Sequence, residues 1–122
     1  MTIKEAQAAA RECVPVVFHD PMLDVDMVFS RIIEITKTYM TPDQVRRGYP
    51  AEAYYLTLDS MRCPGHSQHV CPPELVRLAT PEDVVRSGIP LELEQRQEIE
   101  ERAAAVTAAR AAEDGEAAEE IA

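Results

Sequence analysis

The segment at residues 27–39 constrains the fold of this chain more than any other. Its first half carries apolar residues at odd and even positions alike, and Thr36, Lys37 and Thr38 then make it polar. β-Branched residues dominate it, which favours a strand. A strand that begins buried on both faces and ends in water is typical of a curled sheet or a small barrel. A second long strand, rich in Tyr, Leu and Thr, is predicted at residues 51–61.

Shorter elements complete the predicted fold. They are a helix from a capping box at Thr2 to about Cys13, strands at 14–18, 67–71 and 75–78, a loop at 19–26, and a helix at 91–113 that Asp114 and Gly115 end. These elements predict an α+β fold with an N-terminal helix, a small curved antiparallel sheet or partial barrel, and a long C-terminal helix. We assign residues 1–90 to a compact α+β domain and residues 91–122 to a C-terminal helix with an acidic tail.

Two connectors, at residues 41–50 and 80–90, repeat one pattern. Each begins with Thr-Pro, has an acid in its first turn and an Arg near its end, and stops at a Gly. Thr is a good N-cap residue and Pro is favoured at the first helical position, so both are predicted to be short capped helices. A duplicated ligand-binding element is the alternative interpretation.

The charge of the chain is concentrated at its C-terminal end. The formal net charge is −10, and residues 92–122 contribute ten acids against three arginines. No basic stripe is visible, which argues against duplex nucleic acid as a partner. No apolar run is long enough for a membrane span, and the N-terminus does not resemble a secretory leader. Three cysteines, an odd number, favour a reducing compartment, so we expect a cytoplasmic protein without a membrane partner.

Four potential zinc ligands, Cys63, His66, His69 and Cys71, lie within nine residues. Thiolate and imidazole are preferred zinc ligands, and His69 and Cys71 would share one face of a strand. The spacing Cys-x2-His-x2-His-x-Cys is not a recurrent zinc pattern, however, and structural zinc sites usually join two separated ligand pairs. A zinc site and a metal-free hairpin both remain open. We favour the hairpin and predict no metal and no other cofactor.

The sequence favours binding over catalysis. A cysteine nucleophile would need a base and an orienting group, and here Cys and His are close only in sequence. With four glycines in all, the chain has no glycine-rich phosphate loop, and no carboxylate pair stands out. Arg31 is the most informative polar residue, because it lies in a largely apolar strand. Its charge must reach solvent, an acid or a bound anion, and pairing with an acid is the simplest solution.

Several short motifs follow one another along residues 2–79. They are Thr2-Ile-Lys-Glu-Ala-Gln, Val14-Pro-Val-Val-Phe-His, Phe29-Ser-Arg-Ile-Ile-Glu-Ile, Leu56-Thr-Leu-Asp, Gly65-His-Ser and Pro73-Glu-Leu-Val. Their order resembles that of small proteins of Firmicute phages and prophages, part of which are similar to anti-Thoeris sponges. The similarity covers about residues 2–79. The chain departs from the family in a Cys-Pro insertion before Gly65, in insertions at 22–26 and 41–50, and in its acidic tail.

The resemblance implies a phage protein, in the cytoplasm of an infected bacterium, that sequesters a cyclic nucleotide second messenger without cleaving it. The messenger would be a cyclic ADP-ribose isomer or a cyclic oligonucleotide. The implied ligand-binding residues are Arg31 for a phosphate, Tyr55 for stacking on a base, and His66 and Arg86 as the remaining wall. We also expect a homo-oligomer, because the alanine-rich helix at 99–112 offers an apolar surface. The alternative is a contact inhibitor of a host defence protein, with a structural zinc at 63–71 as one variant.

Overall fold

The computed structural model describes residues 1–60 and 68–121, and side chains up to residue 112. The elements are α1 (Ile3–Glu12), β1 (Val16–Asp20), β2 (Val25–Tyr39), α2 (Pro42–Arg46), β3 (Glu52–Ser60), β4 (Gln68–Cys71), a 3-10 turn (Pro73–Leu75), β5 (Val76–Leu78), α3 (Pro81–Arg86) and α4 (Leu93–Ile121). The predicted α+β class is therefore confirmed, with a helix at each end of the chain. No helix within the described ranges combines the length and hydropathy that crossing a membrane requires.

The five strands form one open antiparallel sheet in the order β4-β3-β2-β1-β5. The two long strands predicted from sequence, β2 and β3, are neighbours in its centre. Antiparallel partners carry their side chains on the same face, so the register assigns each residue to one of two faces. The sheet remains open at β4 and β5 and is not closed into a barrel.

Each face of the sheet has its own apolar cluster, which explains why the start of β2 is apolar on both sides. On the first face, which we call the helix-covered face, β-strand residues pack against α1 and against Val106 of α4. On the second face, Val17 and Val28 pack with Val84 of α3, and Ile99 of α4 joins them. The C-terminal helix thus contributes to both clusters. Its apolar residue Val106 is fully buried inside the chain, whereas Ala104, Ala105 and Ala108 of the same helix are exposed, so the expected homo-oligomer stays a prediction.

Two β-bulges in β2 decide where Arg31 lies. The register steps from Phe29 opposite Ser60 to Arg31 opposite Asp59, which leaves Ser30 as an extra residue, and a second step leaves Ile33 extra. The first bulge exchanges the faces of the following residues and the second restores the original alternation. Only Arg31 and Ile32 are therefore exchanged. Ile32 is buried in the helix-covered cluster, and Arg31 is directed to the opposite face.

Two local predictions were wrong. The predicted loop at 19–26 is a tight hairpin, because β1 continues to Asp20 and β2 begins at Val25. Asp20 Oδ1 accepts hydrogen bonds from the amides of Met22 and Leu23, and Asp24 adopts a left-handed conformation (φ 52°), so the polar residues build the turn. The C-terminal helix does not end at residue 113 but continues to Ile121. One Gly costs about 1 kcal/mol in a helix, and the Ala and Glu residues around it have high helix propensity.

Candidate functional site

Arg31 forms an ion pair across the sheet with Asp59. Its Nε lies 3.7 Å from Asp59 Oδ2, which is beyond hydrogen-bonding distance. The two partners differ in burial, since the Arg31 side chain is 51% exposed and the Asp59 side chain only 4%. The carboxylate is thus a fixed, buried negative charge, while the guanidinium lies at the surface with several donors available. The simplest expectation for Arg31, pairing with an acid, describes what the structure shows.

Beyond Val28 the second sheet face becomes polar, and we call this region the polar face. By register and alternation it carries Arg31, Glu34, Thr36, Tyr55, Thr57 and Asp59. α3 covers the neighbouring part of the same sheet face, where it packs on Val17 and Val28. The polar face is therefore bordered on one side by a helix, which is a geometry that can hold a ligand against the sheet.

A groove of about 650 Å³ lies at this border, and we call it the α3 groove. Its lining residues are Val17, Asp26, Met27, Val28, Asp83, Arg86 and Ser87. Arg31 is the next residue of β2 after Val28 to face the same side, because Ser30 is the bulge residue. One same-face step along a strand spans roughly 7 Å. The sequence-predicted residues Arg31 and Arg86 thus flank one surface, although they are 55 positions apart in the chain.

The acids of the α3 groove already have hydrogen-bonding partners. Arg77 makes two hydrogen bonds to Asp83, with Nη1–Oδ2 2.8 Å and Nη2–Oδ1 3.2 Å. These bonds, aided by bonds from Thr80, hold the pKa of the Asp83 carboxyl well below its usual range. Asp26 accepts from His19 Nδ1 at 2.8 Å and lies 3.8 Å from Arg77 Nη2. The hydrogen bond with Asp83 in turn raises the pKa of Arg77.

Arg86 differs from Arg77 in this respect. It is exposed, and within the described part of the chain it forms no ion pair. Because Asp83 is paired with Arg77 and Asp26 accepts from His19 Nδ1, the guanidinium of Arg86 offers donors at the edge of the groove that these carboxylates do not engage. An anion placed there would meet a donor that is not already engaged.

The remaining predicted site residues are not all brought to this groove. Tyr55 is opposite Thr36, whereas Arg31 is opposite Asp59 four residues along β3, which corresponds to roughly 13 Å. Tyr55 also lines a different cavity, of about 450 Å³, beside the N-terminus of α1. His66 lies outside the described residues. The structure therefore places Arg31 and Arg86 on the same side of the sheet, and Tyr55 farther along that face.

The predicted Cys–His hairpin is described only in part, because Cys63 and His66 lie outside the described residues. β4 pairs with β3, as expected, and His69 and Cys71 both face the helix-covered side. The His69 ring contacts the rings of Phe18 and Phe29, with centroid distances of 4.5 and 5.7 Å. Burial raises the pKa of the Cys71 thiol to about 11, which favours its neutral form. Both side chains therefore act as core groups.

No group of three His, Cys, Asp or Glu side chains with metal-site geometry occurs within the described ranges. The absence of a metal from the working protein remains a prediction, since half of the candidate ligands fall at 63 and 66.

Sequence reasoning missed the acids that shape the site. Asp59 is buried at a position that only the bulged register reveals, so no local pattern could identify it. Asp83 could have been found, because it occupies the third helical position of a capping box that starts at Thr80. Its pairing with Arg77 depends on β5 and α3 being adjacent, which the sequence does not encode locally.

Comparison with models of known protein families, with characterised proteins and with solved structures finds no match to this chain. The functional inference below therefore depends on the chain's own geometry and on the motif resemblance described above.

Proposed function

We propose that this protein is a non-catalytic sponge that binds and sequesters a cyclic nucleotide second messenger on the polar face and the adjoining α3 groove. The ligand class is a cyclic ADP-ribose isomer or a cyclic oligonucleotide. The phosphates of the ligand contact Arg31 and Arg86. The protein retains the ligand without cleaving it, and a bacterial defence effector therefore remains inactive. The observation that carries the proposal is that the double bulge and α3 bring these two arginines to one side of the sheet.

Several features of the surface support an anionic ligand despite the net charge of −10. Local field rather than total charge governs the binding of a small anion, and the acids of the groove are already paired with Arg77 and His19. Arg31 is held near the surface by an ion pair longer than a hydrogen bond, so it can turn toward a phosphate without losing a strong contact. The apolar floor formed by Val17 and Val28 suits a base or ribose.

The distance between Arg31 and Tyr55 indicates the size of the expected ligand. A ligand that stacks on Tyr55 while its phosphate contacts Arg31 must bridge roughly 13 Å of strand. That span favours a cyclic oligonucleotide over a smaller cyclic ADP-ribose isomer, if Tyr55 takes part. Replacing Tyr55 by Leu is therefore expected to weaken the larger ligands and to leave the smaller ones unaffected.

Arginine substitutions test the proposal directly. Charge-assisted contacts to phosphate contribute about 1.5–3 kcal/mol, so Arg86→Ala and Arg31→Ala are each expected to weaken binding about 10- to 150-fold. Arg11→Ala is the control, since Arg11 is exposed and lies outside both the groove and the polar face. Calorimetry with cyclic ADP-ribose isomers and with cyclic di- and trinucleotides gives the affinities.

Two results would contradict the proposal. One is that no compound of these classes binds with a dissociation constant below about 10 µM. The other is that Arg86→Ala and Arg31→Ala bind as the unaltered protein does. Thermal unfolding of each variant is measured in parallel, because Asp59 loses a partner in Arg31→Ala and a loss of fold must be separated from a loss of contact.

A contact inhibitor of a host defence protein is the second candidate, and the β1–β2 hairpin favours it. Met22 and Leu23 at its tip are 93% and 71% exposed, which is unusual for two adjacent large apolar residues. Asp20 and Asp24 flank them. The two functions differ in what accompanies the purified protein. A sponge releases an intact small molecule on heat denaturation, whereas a contact inhibitor retains a protein partner that Met22→Asp should release.

A further inference from the structure

The second surface of interest is formed by α2 at the tip of the β2–β3 hairpin. α2 has the full set of helix-forming signals, namely a capping box between Thr41 and Gln44 and a proline at its start. It nevertheless buries no residue within the chain, and Val45 and Tyr49 beside it are 41% and 57% exposed. The capping box and the paired strands on either side hold this turn in place, and its apolar side is left uncovered within the described part of the chain, where a partner surface can pack.

A complementary depression lies next to α2 on the same molecule, and we call it the Tyr–Pro pocket. It has a volume of about 450 Å³ and is lined by Pro50, Tyr54 and Pro73, with Glu52 and Glu74 among its acids. It lies along the part of β3 beyond the end of β4, since β4 pairs only with Leu56 to Asp59. No residue of α2 lines it.

We propose that a second copy of this chain occupies the Tyr–Pro pocket with its α2, and that the two copies exchange this contact in a two-fold symmetric dimer. An isologous interface requires both complementary features on one patch, and Pro50 and Glu52 follow α2 directly in the chain. Val45 and Tyr49 supply the apolar contact. Arg46 and Arg47 both pair with Asp43, at 2.9 and 3.6 Å, but their side chains are each 75% exposed. Two arginines against one carboxylate leave positive charge on α2 that faces the pocket acids in the dimer.

Two of the pocket residues, Glu52 and Tyr54, already interact with a cation of their own chain. Lys37 Nζ lies 3.0 Å from Glu52 Oε2 and 5.8 Å from the centroid of the Tyr54 ring. The hydrogen bond with Glu52 raises the pKa of Lys37. Tyrosine faces beside carboxylates attract guanidinium groups at least as well as ammonium groups, so an arginine of the second copy fits the same chemistry. Tyr55 also lines this pocket, so the dimer is measured in the absence of added nucleotide.

Light scattering and analytical ultracentrifugation of the full chain provide the first test. The expected mass is twice the 13.6 kDa of one chain. Val45→Asp is expected to raise the dimer dissociation constant about 30-fold or more, the effect of losing a central interface residue. Met22→Asp is the control, because it places the same charge on an exposed apolar residue elsewhere, which is 93% exposed against 41% for Val45. A monomer at about 100 µM, or a dimer that Val45→Asp leaves intact, overturns the proposal.

Charge exchange provides a second test that does not depend on a loss of assembly. The double variant Arg46→Glu, Arg47→Glu and the single variant Glu74→Arg should each be monomeric, because like charges then meet at both contacts. Mixed together, they should form a heterodimer, because every α2 then faces a pocket of opposite charge. Circular dichroism verifies that each variant is folded. If the folded variants remain monomeric on mixing, the proposed pairing is wrong.

Discussion

The two short capped helices, α2 and α3, share one sequence pattern and one local structure but differ in what surrounds them. Each begins with a Thr N-cap in a complete capping box and has a proline in its first turn. The valine four positions after the Thr is fully buried in α3, as Val84, whereas its counterpart Val45 is 41% exposed in α2. Ile89, just beyond α3, joins the apolar cluster, and its counterpart Tyr49 is exposed.

The difference comes from where the fold places each helix. α3 follows β5, which pairs with β1 at the covered part of the sheet, so its apolar side meets Val17. α2 joins the far ends of β2 and β3, where the strands extend beyond both apolar clusters. Capping therefore determines that a helix forms, and topology determines whether the helix contributes to stability.

The largest expected difference between the two helices is in how much stability is lost when the valine of each is replaced. Val84→Ala should reduce the free energy of unfolding by about 3 kcal/mol, because it removes fully buried methyl groups and leaves a cavity. Val45→Ala should change it by less than about 0.5 kcal/mol. Urea unfolding at low protein concentration, where self-association does not contribute, measures both. Equal losses would show that α2 is packed within the chain after all.

The next largest difference in stability is expected at the third helical position, which is Asp83 in α3 and Gln44 in α2. Asp83 accepts from Arg77 as well as from Thr80, so Asp83→Asn should cost about 2 kcal/mol at pH 7. Gln44→Ala removes only an exposed cap bond and should cost well under half of that. Chemical denaturation of both variants gives the comparison, and a smaller loss for Asp83→Asn than for Gln44→Ala would refute it.

Acidification should reduce the contribution of Asp83 to the free energy of unfolding. Its pKa is depressed in the folded state, so its contribution is complete above the unfolded carboxyl pKa of about 3.9 and is lost as the pH falls below that value. Between pH 5 and pH 3 the gap in unfolding free energy between the unaltered protein and Asp83→Asn should narrow by about 1 kcal/mol. The difference in unfolding free energy between the unaltered protein and Gln44→Ala should stay constant over the same pH range. If the difference for Asp83→Asn also stayed constant, the depressed pKa of Asp83 would be contradicted.

The smallest expected effect is at the N-cap of α2. Thr41→Ala should leave global stability within about 0.5 kcal/mol, yet it should speed amide hydrogen exchange at Gln44 and Val45, whose bonds to Thr41 define the first turn. Thr80→Ala, in contrast, should lower global stability as well, by about 1 kcal/mol. Native-state hydrogen exchange distinguishes the two. Unchanged exchange in α2 would mean that other contacts hold it.

Much of the fold could be predicted because its signals are local. The capping boxes at Thr2, Thr41 and Thr80 each start a helix, and the two long strands are adjacent as expected. The 19–26 hairpin was missed because its turn depends on one Asp side chain bonding to amides two and three residues on. The burial of α3 but not α2 could not be predicted, since it depends on contacts between distant segments.

The candidate site was predictable only as a set of unconnected residues. Arg31 could be selected from the sequence because a charge in an apolar strand needs a partner, and the structure pairs it with an acid. That Asp59 is this partner follows from the register of β2 and β3, which short motifs do not specify. Arg86 was suggested by resemblance, and its position on the same side of the sheet as Arg31 follows from the register of β2 and from the packing of α3.

The double bulge of β2 acts on the alternation of side chains as a pair of one-residue insertions that compensate each other. Deleting Ser30 or Ile33 alone would leave one shift uncorrected and would turn the residues on one side of it toward the wrong face. Deleting both would give a regular strand in which Arg31 still faces the polar side and Ile32 the core. Length changes in this part of the chain should therefore be tolerated in pairs and rejected singly.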